Sequence, residues 1–176
     1  MWDRVVVRRD VPLSNGTPVA AVLAVLFEDA DGDSRTVLMK RPDTMPTHAG
    51  HIAFPGGRPD PGDLGPVDTA LREAHEEVGI EPAAVEVVGF LDPVDTVQLA
   101  MFVIPVVGRL AKPPTLVPSP REVDRLYTPR LADLADPGRW WFEDWYGRRV
   151  WFYDLEGDLL WGATAFMTRT MLGMET

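Results

Sequence analysis

Hydrophobic and polar positions divide the chain into short apolar runs separated by segments rich in Pro and Gly. An apolar run over about residues 20–27 and another over about 36–40 flank a turn rich in Asp and Gly, which predicts a β-hairpin. The runs VEVVGFLDPV and AMFVIPVVGRL predict two further strands. The segment RVWFYDLEGDLLWG predicts a second hairpin around its Glu-Gly pair.

Helical periodicity is clearest over about residues 66–78. A proline and Asp68 lie in the first turn and Gly79 follows the last one, which are typical start and stop signals. The segments LADLADP and ATAFMTRTML predict a short helix and a C-terminal amphipathic helix. Strands and helices alternate irregularly along the chain. This order favours an α+β fold in which helices flank a mixed sheet.

Composition narrows the class of protein. A chain of 176 residues with 45% hydrophobic and 25% charged residues fits one globular domain spanning residues 1–176. A net charge of −10 argues against nucleic-acid binding through a broad basic surface. The sequence contains no Cys and no apolar signal core, which predicts a cytoplasmic protein. No apolar run approaches the length of about 20 residues that spans a bilayer, so we expect a protein that does not span a membrane.

Three glutamates lie close together in the predicted helix, within the sequence REAHEEVG. Since helical residues turn by about 100°, Glu76 and Glu77 lie roughly 60° and 40° around the axis from Glu73, on one face. Three hard oxygen donors on one turn are suited to Mg²⁺ or Mn²⁺, and a cation would relieve their repulsion. A solvated helix face, with Arg72 paired to Glu76, is the alternative from spacing alone.

The segment FPGGRPDPGDLGPVDTALREAHEEVGI resembles the signature of the Nudix hydrolases. That signature consists of Gly, five residues, Glu, seven residues, and then Arg-Glu-apolar-any-Glu-Glu-any-Gly-apolar. The matching positions are Gly57, Arg72, Glu73, Ala74, Glu76, Glu77, Gly79 and Ile80. Asp63 stands where the first Glu would be, with one extra residue before Arg72. The resemblance covers about residues 20–172. It implies an α/β/α sandwich whose catalytic helix follows a Gly-rich loop, and hydrolysis of a nucleoside diphosphate linked to another group.

The longer spacing resembles one branch of that family, the coenzyme A diphosphatases. Leu38, Arg41, Gly50 and the FPGG sequence are in register with the motif of that branch, whereas Met39, Pro42 and Pro46 depart from it. The resemblance implies cleavage of coenzyme A or a derivative to 3',5'-ADP and 4'-phosphopantetheine. Hydrolysis of ADP-ribose, dinucleotides or nucleoside triphosphates is the nearest alternative. A non-catalytic ligand sensor is the second.

The resemblance also implies roles for the acidic residues. Glu73 and Glu77 are the expected ligands of Mg²⁺ or Mn²⁺, with Glu76 supporting them. Arg72 is expected to orient a glutamate rather than touch the substrate. The general base is either a glutamate of the helix or Glu122 in the later sequence SPREVDRLY.

The expected ligand is a small molecule built around a nucleoside diphosphate, and its candidate contacts lie around the Gly-rich loop. They are Arg41, His48, Gly50, Gly56, Gly57 and Arg58. Ordinary turn glycines, solvated arginines and packed loop histidines remain the alternatives at these positions. His51 is a further candidate contact, and Asp60 and Asp63 are expected to shape the loop or to support the residues that bind the metal.

Tryptophan is concentrated in the last third of the chain. The residues are Trp140, Trp141, Trp145, Trp151 and Trp161. Aromatic faces stack on nucleobases, so a base-binding platform is one interpretation. A core or a subunit interface is the commoner use of such residues, which leaves a homodimer as one outcome.

Overall fold

The computed structural model describes residues 5, 7–12, 19–44, 48–96 and 101–176. Its strands are β1 (Val19–Glu28), β2 (Ser34–Thr36), β3 (Leu38–Lys40), β4 (Ile52–Ala53), β5 (Gly56–Gly57), β6 (Val85–Phe90), β7 (Val94–Thr96), β8 (Met101–Leu110), β9 (Arg125–Tyr127), β10 (Trp140–Trp145), β11 (Arg148–Leu155) and β12 (Asp158–Trp161). Its α-helices are α1 (Pro66–Val78), α2 (Leu131–Leu134) and α3 (Gly162–Met171). No helix among these residues is long and apolar enough to cross a membrane.

A mixed sheet of six strands forms the centre of the fold. Strands β1 and β8 run parallel, with Ala24 beside Val107. Strands β2 and β5 pair antiparallel with β1, and β6 and β7 pair antiparallel with β8. The mixed sheet predicted from the irregular order of elements is confirmed.

Strand β1 is apolar on both faces because both faces of the sheet are covered. Leu23 belongs to the buried cluster that includes Ala74 of α1. Leu26 belongs to a second cluster that includes Leu134 of α2 and Met167 of α3. Alternate residues of a strand point to opposite faces, so one continuous apolar run serves two cores. Helices therefore lie on both sides of the sheet, as the resemblance implied.

The strand predicted over about residues 36–40 is divided between two sheets. Strand β2 pairs with β1, whereas β3 pairs with β4 and β9 in a separate sheet of three strands. Val37 between them is fully buried, as are Leu38 and Met39. Because residues 36–39 are all buried, the hydrophobic pattern alone gives no sign of where the chain changes sheet.

Strands β10, β11 and β12 form a third antiparallel sheet. The predicted hairpin of β11 and β12 is confirmed, with Glu156 and Gly157 at φ of 56° and 89° in its turn. Strand β10 did not appear in the sequence prediction. Helix α1 has the predicted bounds, and Gly79 ends it in the left-handed conformation with its N–H donating to the carbonyl of His75.

Candidate active site

Two glycines of β5 bring the chain unusually close to its neighbours. A Cβ atom on Gly56 would lie 2.3 Å from the carbonyl oxygen of Ala21 in β1. A Cβ atom on Gly57 would lie 2.5 Å from the carboxylate of Glu73 in α1. The resemblance implied that these glycines belong to a Gly-rich loop before the helix. The structure shows instead a short strand on β1 whose missing side chains make room for backbone on one side and for a carboxylate on the other.

Glu77 is a buried carboxylate at the centre of this arrangement. The residue is only 3% exposed. Its Oε2 accepts a hydrogen bond of 2.8 Å from the N–H of Gly56, and its Oε1 lies 3.5 Å from Nη1 of Arg41. Burial raises the pKa of Glu77 to about 8, although the Gly56 N–H and Arg41 oppose the shift.

Two other carboxylates act on Glu77 through their charges. Glu73 and Glu122 both raise the pKa of Glu77. The pKa of Glu73 is itself raised, mainly by burial and also by the charges of Glu76 and Glu122, while Arg72 opposes the shift. Glu73, Glu77 and Glu122 therefore form an acidic group in which the charge of Glu122 disfavours ionisation of both helix glutamates, and the charge of Glu73 disfavours ionisation of Glu77.

Glu122 reaches this group because its loop is bound to the end of α1. The N–H of Val117 donates to the carbonyl of Val78 at 2.9 Å, and the N–H of Ser119 donates to the carbonyl of Glu77 at 2.8 Å. The N–H of Glu122 in turn donates to the carbonyl of Ser119 at 3.1 Å. Carbonyls in the last turn of a helix lack partners within the helix, so the loop satisfies them and is held in place.

Asp63 anchors the guanidinium of Arg72. Its Oδ1 accepts from Nε of Arg72 at 3.1 Å and its Oδ2 accepts from Nη2 at 3.0 Å. Oδ2 also accepts from the hydroxyl of Thr69 and from the N–H of Asp60, both at 2.9 Å. These hydrogen bonds, chiefly those from Arg72, hold the pKa of Asp63 well below its ordinary value.

Arg72 connects this anchor to two of the three helix glutamates. Its Nη2 lies 3.1 Å from a carboxylate oxygen of Glu73, and its Nη1 lies 3.1 Å from one of Glu76. Its Nη2 also donates to the carbonyl of Arg58 at 2.9 Å. The arginine is therefore fixed between loop and helix, in contact with Glu73 and Glu76, and its expected role is to orient a glutamate of this helix.

The three helix glutamates differ in their surroundings. The side chain of Glu77 is 4% exposed and that of Glu73 is 18% exposed, whereas that of Glu76 is 52% exposed and directed to Arg72. Across the described ranges, no group of three or more His, Cys, Asp or Glu side chains is already gathered closely enough to hold a metal ion. Arg72 contacts two of the three carboxylates, those of Glu73 and Glu76.

The expected substrate contacts divide between two regions. Arg41, His48, Gly50 and His51 lie together: the N–H of Arg41 donates to the carbonyl of His51 at 3.0 Å, and the N–H of Gly50 donates to the carbonyl of Arg41 at 3.1 Å. Burial and the charge of Arg41 lower the pKa of both histidines. Arg58 is exposed on the other side of β5, where its carbonyl binds Arg72.

The residues around Glu77 fit a divalent cation. The chemistry of the set is hard oxygen, which Mg²⁺ and Mn²⁺ prefer. The carboxylate of Glu77 is buried beside two others, and its pKa is raised. A bound cation would relieve the repulsion among these carboxylates and favour their ionised forms. Carboxylates on a helix beside an arginine and a glycine strand are residues that can hold a cation for phosphate chemistry.

Comparison with known proteins identifies the family. The NUDIX domain family matches residues 17–148. The chain is 44% identical over 158 residues to Nudix hydrolase 22, chloroplastic, of Arabidopsis thaliana, which covers 83% of this chain and 51% of that protein. It is 42% identical over 141 residues to the uncharacterized Nudix hydrolase NudL of Escherichia coli, covering 77% and 72%. The chain belongs to the Nudix family.

The solved structures agree on the fold. The Nudix hydrolase RenU of M. smegmatis superposes with a TM-score of 0.57 at 24% identity, covering 68% of this chain and 74% of that one. An identity this low supports the shared fold and not a shared substrate. The chain also spans about half the length of its Arabidopsis relative.

Proposed function

We propose that this protein hydrolyses the diphosphate of a nucleoside diphosphate linked to another group, with Mg²⁺ or Mn²⁺ as cofactor. The preferred substrate is coenzyme A or a derivative, which would give 3',5'-ADP and 4'-phosphopantetheine. The observation that carries the proposal is the buried carboxylate of Glu77, held by the N–H of Gly56 and surrounded by the charges of Glu73, Glu122 and Arg41.

The protein's own residues supply most of what the reaction needs. Glu73 and Glu77 would hold the cation with support from Glu76, and the bound cation would neutralise the diphosphate and acidify the attacking water. Glu122 is the proposed general base, because it is half-buried and its charge reaches Glu77. Arg72 positions the helix carboxylates.

Arg41 is the proposed contact to the diphosphate. Its side chain is 18% exposed, and its Nε is buried with no hydrogen-bond partner among the described residues. A buried guanidinium nitrogen without a partner is costly unless an acceptor binds there. A phosphate oxygen is such an acceptor, and arginine binds phosphate through parallel hydrogen bonds.

The choice of coenzyme A rests on the sequence motif that includes Arg41 and Gly50. Of its three departures, Met39 is fully buried in the core, so the change at that position alters packing rather than a side chain that faces a ligand. Pro42 is half-buried. Pro46 lies outside the described residues. ADP-ribose, dinucleotides and nucleoside triphosphates are the alternative substrates on the same machinery, and a sensor without turnover is the remaining alternative.

A substrate panel tests the proposal. Hydrolysis of coenzyme A, acetyl-coenzyme A, dephospho-coenzyme A, ADP-ribose, NADH and nucleoside triphosphates is compared through kcat/KM with Mg²⁺ and with Mn²⁺. The proposal predicts the highest values for compounds that carry both the 3'-phosphate and the pantetheine arm. A higher value for ADP-ribose or a triphosphate would reassign the substrate. No turnover of any compound would favour the sensor.

A further inference from the structure

The sheet formed by β10, β11 and β12 presents two different faces. On one, Trp140 and Tyr153 are buried, and Trp140 donates its indole N–H to the carbonyl of Leu134. On the other, Trp141, Phe152 and Trp161 lie directly opposite one another across the three strands. The aromatic face is defined here as Trp141, Trp145, Phe152 and Trp161.

The rings of the aromatic face contact one another. Trp141 stacks on Phe152 with ring centroids 5.8 Å apart, and Phe152 stacks on Trp161 at 6.2 Å. Trp145 lies 5.8 Å from Phe152 and 5.6 Å from Trp161. The indole N–H of Trp145 donates to Glu143 at 2.8 Å, which fixes the orientation of the ring.

This face remains open to solvent. Trp141 is 44% exposed and Trp145 is 41% exposed, although Phe152 beneath them is buried. Core packing therefore accounts for Trp140 but not for these two indoles. Clustered exposed aromatic side chains are typical of surfaces that bind another molecule.

The aromatic face continues into the candidate active site. The ring of Trp161 lies 4.9 Å from that of His51, which lies 5.3 Å from that of His48. The carbonyl of His51 accepts from the N–H of Arg41, whose guanidinium is 3.5 Å from Glu77. His51 and Trp161 thus connect the chain at Arg41 to the aromatic face.

We propose that the aromatic face binds the nucleobase of the substrate by stacking, with Trp145 as the main exposed ring. The inference rests on the proposed function, since it assumes a nucleotide at the Glu77 site. A second copy of the chain is the competing occupant. A net charge of −10 on each copy opposes self-association, and Glu143 on this face adds to the repulsion. A nucleobase is uncharged, so Glu143 does not repel the group that is proposed to stack on this face.

Kinetics of Trp145 variants test the stacking. Trp145→Leu should raise KM for the best substrate by roughly 5- to 150-fold, as loss of one stacked base predicts, with kcat nearly unchanged. Trp145→Phe should restore most of the affinity. Phe142→Leu is the matched control, because Phe142 is 50% exposed on the same strand but lies on the opposite face. Equal effects of the Trp145→Leu and Phe142→Leu changes would overturn the proposal.

Binding of ADP without turnover separates this inference from the proposed function. With Mg²⁺ present, ADP should quench the tryptophan fluorescence of the wild-type protein and of Phe142→Leu, with weaker binding to Trp145→Leu. Inorganic diphosphate should bind the wild type and Trp145→Leu alike. Unchanged ADP affinity in Trp145→Leu would overturn the inference even if hydrolysis is confirmed.

Two further outcomes are informative. If ADP binding depends on Trp145 but the protein hydrolyses no compound of the substrate panel, nucleobase binding by the aromatic face is supported and the proposed hydrolytic activity is refuted. Conversion of a dimer to a monomer by Trp145→Leu, with unchanged ADP affinity, would assign the face to a subunit interface and overturn the proposal. Sedimentation of both variants measures this directly.

Discussion

The buried carboxylate of Glu77 predicts an unusual dependence of stability on pH in the metal-free protein. A carboxyl group with a folded pKa of about 8 stays protonated over a range where the unfolded chain, with an ordinary pKa near 4.5, is ionised. The folded state then binds more protons than the unfolded state. The free energy of unfolding must therefore fall as pH rises from about 4.5 to about 8.

The magnitude follows from the size of the shift. Well inside that interval each pH unit lowers the free energy of unfolding by about 1.4 kcal/mol, and the total between pH 5 and pH 8 is roughly 3 to 4 kcal/mol, because the group is already half ionised at pH 8. That is a large part of the 5–15 kcal/mol that is typical of a folded domain. Glu77→Gln, which places a neutral amide at the same site, should remove this contribution.

Urea unfolding in the presence of a chelator, at pH 5, 6, 7 and 8, measures the effect. Wild type should lose stability relative to Glu77→Gln by about 1.4 kcal/mol per pH unit, and any constant cost of the amide cancels in the slope. Glu86→Gln, an exposed residue on β6, is the control and should follow wild type. Equal slopes in wild type and Glu77→Gln would refute the electrostatic reasoning.

The other predictions concern residues around Glu77. Gly57→Ala should displace the carboxylate of Glu73 and lower kcat by about 10- to 100-fold with little change in melting temperature, because the atom it meets is the end of a flexible side chain. Gly56→Ala meets the backbone of β1 and should cost about 3 kcal/mol of stability in urea unfolding. Glu122→Gln should lower kcat by roughly 10²- to 10⁴-fold with unchanged affinity for Mn²⁺ in calorimetric titration. Asp63→Asn should weaken the anchor of Arg72 and lower kcat/KM by about tenfold in the same hydrolysis assay.

Each of these has an outcome that would contradict it. Equal losses of stability in Gly56→Ala and Gly57→Ala would mean that a contact with the backbone of β1 costs no more than a contact with the side chain of Glu73. A Glu122→Gln variant within about twofold of wild type would exclude that residue as the base. Full activity in Asp63→Asn would show that Arg72 holds the helix carboxylates without its anchor.

Local signals in the sequence were sufficient for much of the fold. The bounds of α1 follow from Pro66 and Gly79, since proline fits the first turn and glycine adopts the left-handed conformation after the last. The hairpin of β11 and β12 follows from its Glu-Gly turn between two apolar runs. The same local pattern placed Glu73 and Glu77 on one face of a helix.

Long-range contacts were beyond the sequence pattern. Strand β10 reads WWFEDW, which lacks the polar alternation of a half-buried strand because aromatic residues lie on both faces. The break between β2 and β3 is invisible where all side chains are buried. The anchoring of Arg72 by Asp63, and the binding of the Glu122 loop to the end of α1, depend on loops whose paths periodicity does not determine.

Metal-dependent hydrolysis by wild type and Glu77→Gln, measured side by side, shows whether Glu77 holds a cation that the reaction requires. Both proteins are stripped with a chelator, and cleavage of coenzyme A is followed as Mg²⁺ is added, with Glu86→Gln as the control. We expect no activity without metal, full recovery in wild type and in the control, and none in Glu77→Gln at any Mg²⁺ concentration. Hydrolysis by the stripped protein, or a rate near wild type in Glu77→Gln, would contradict it.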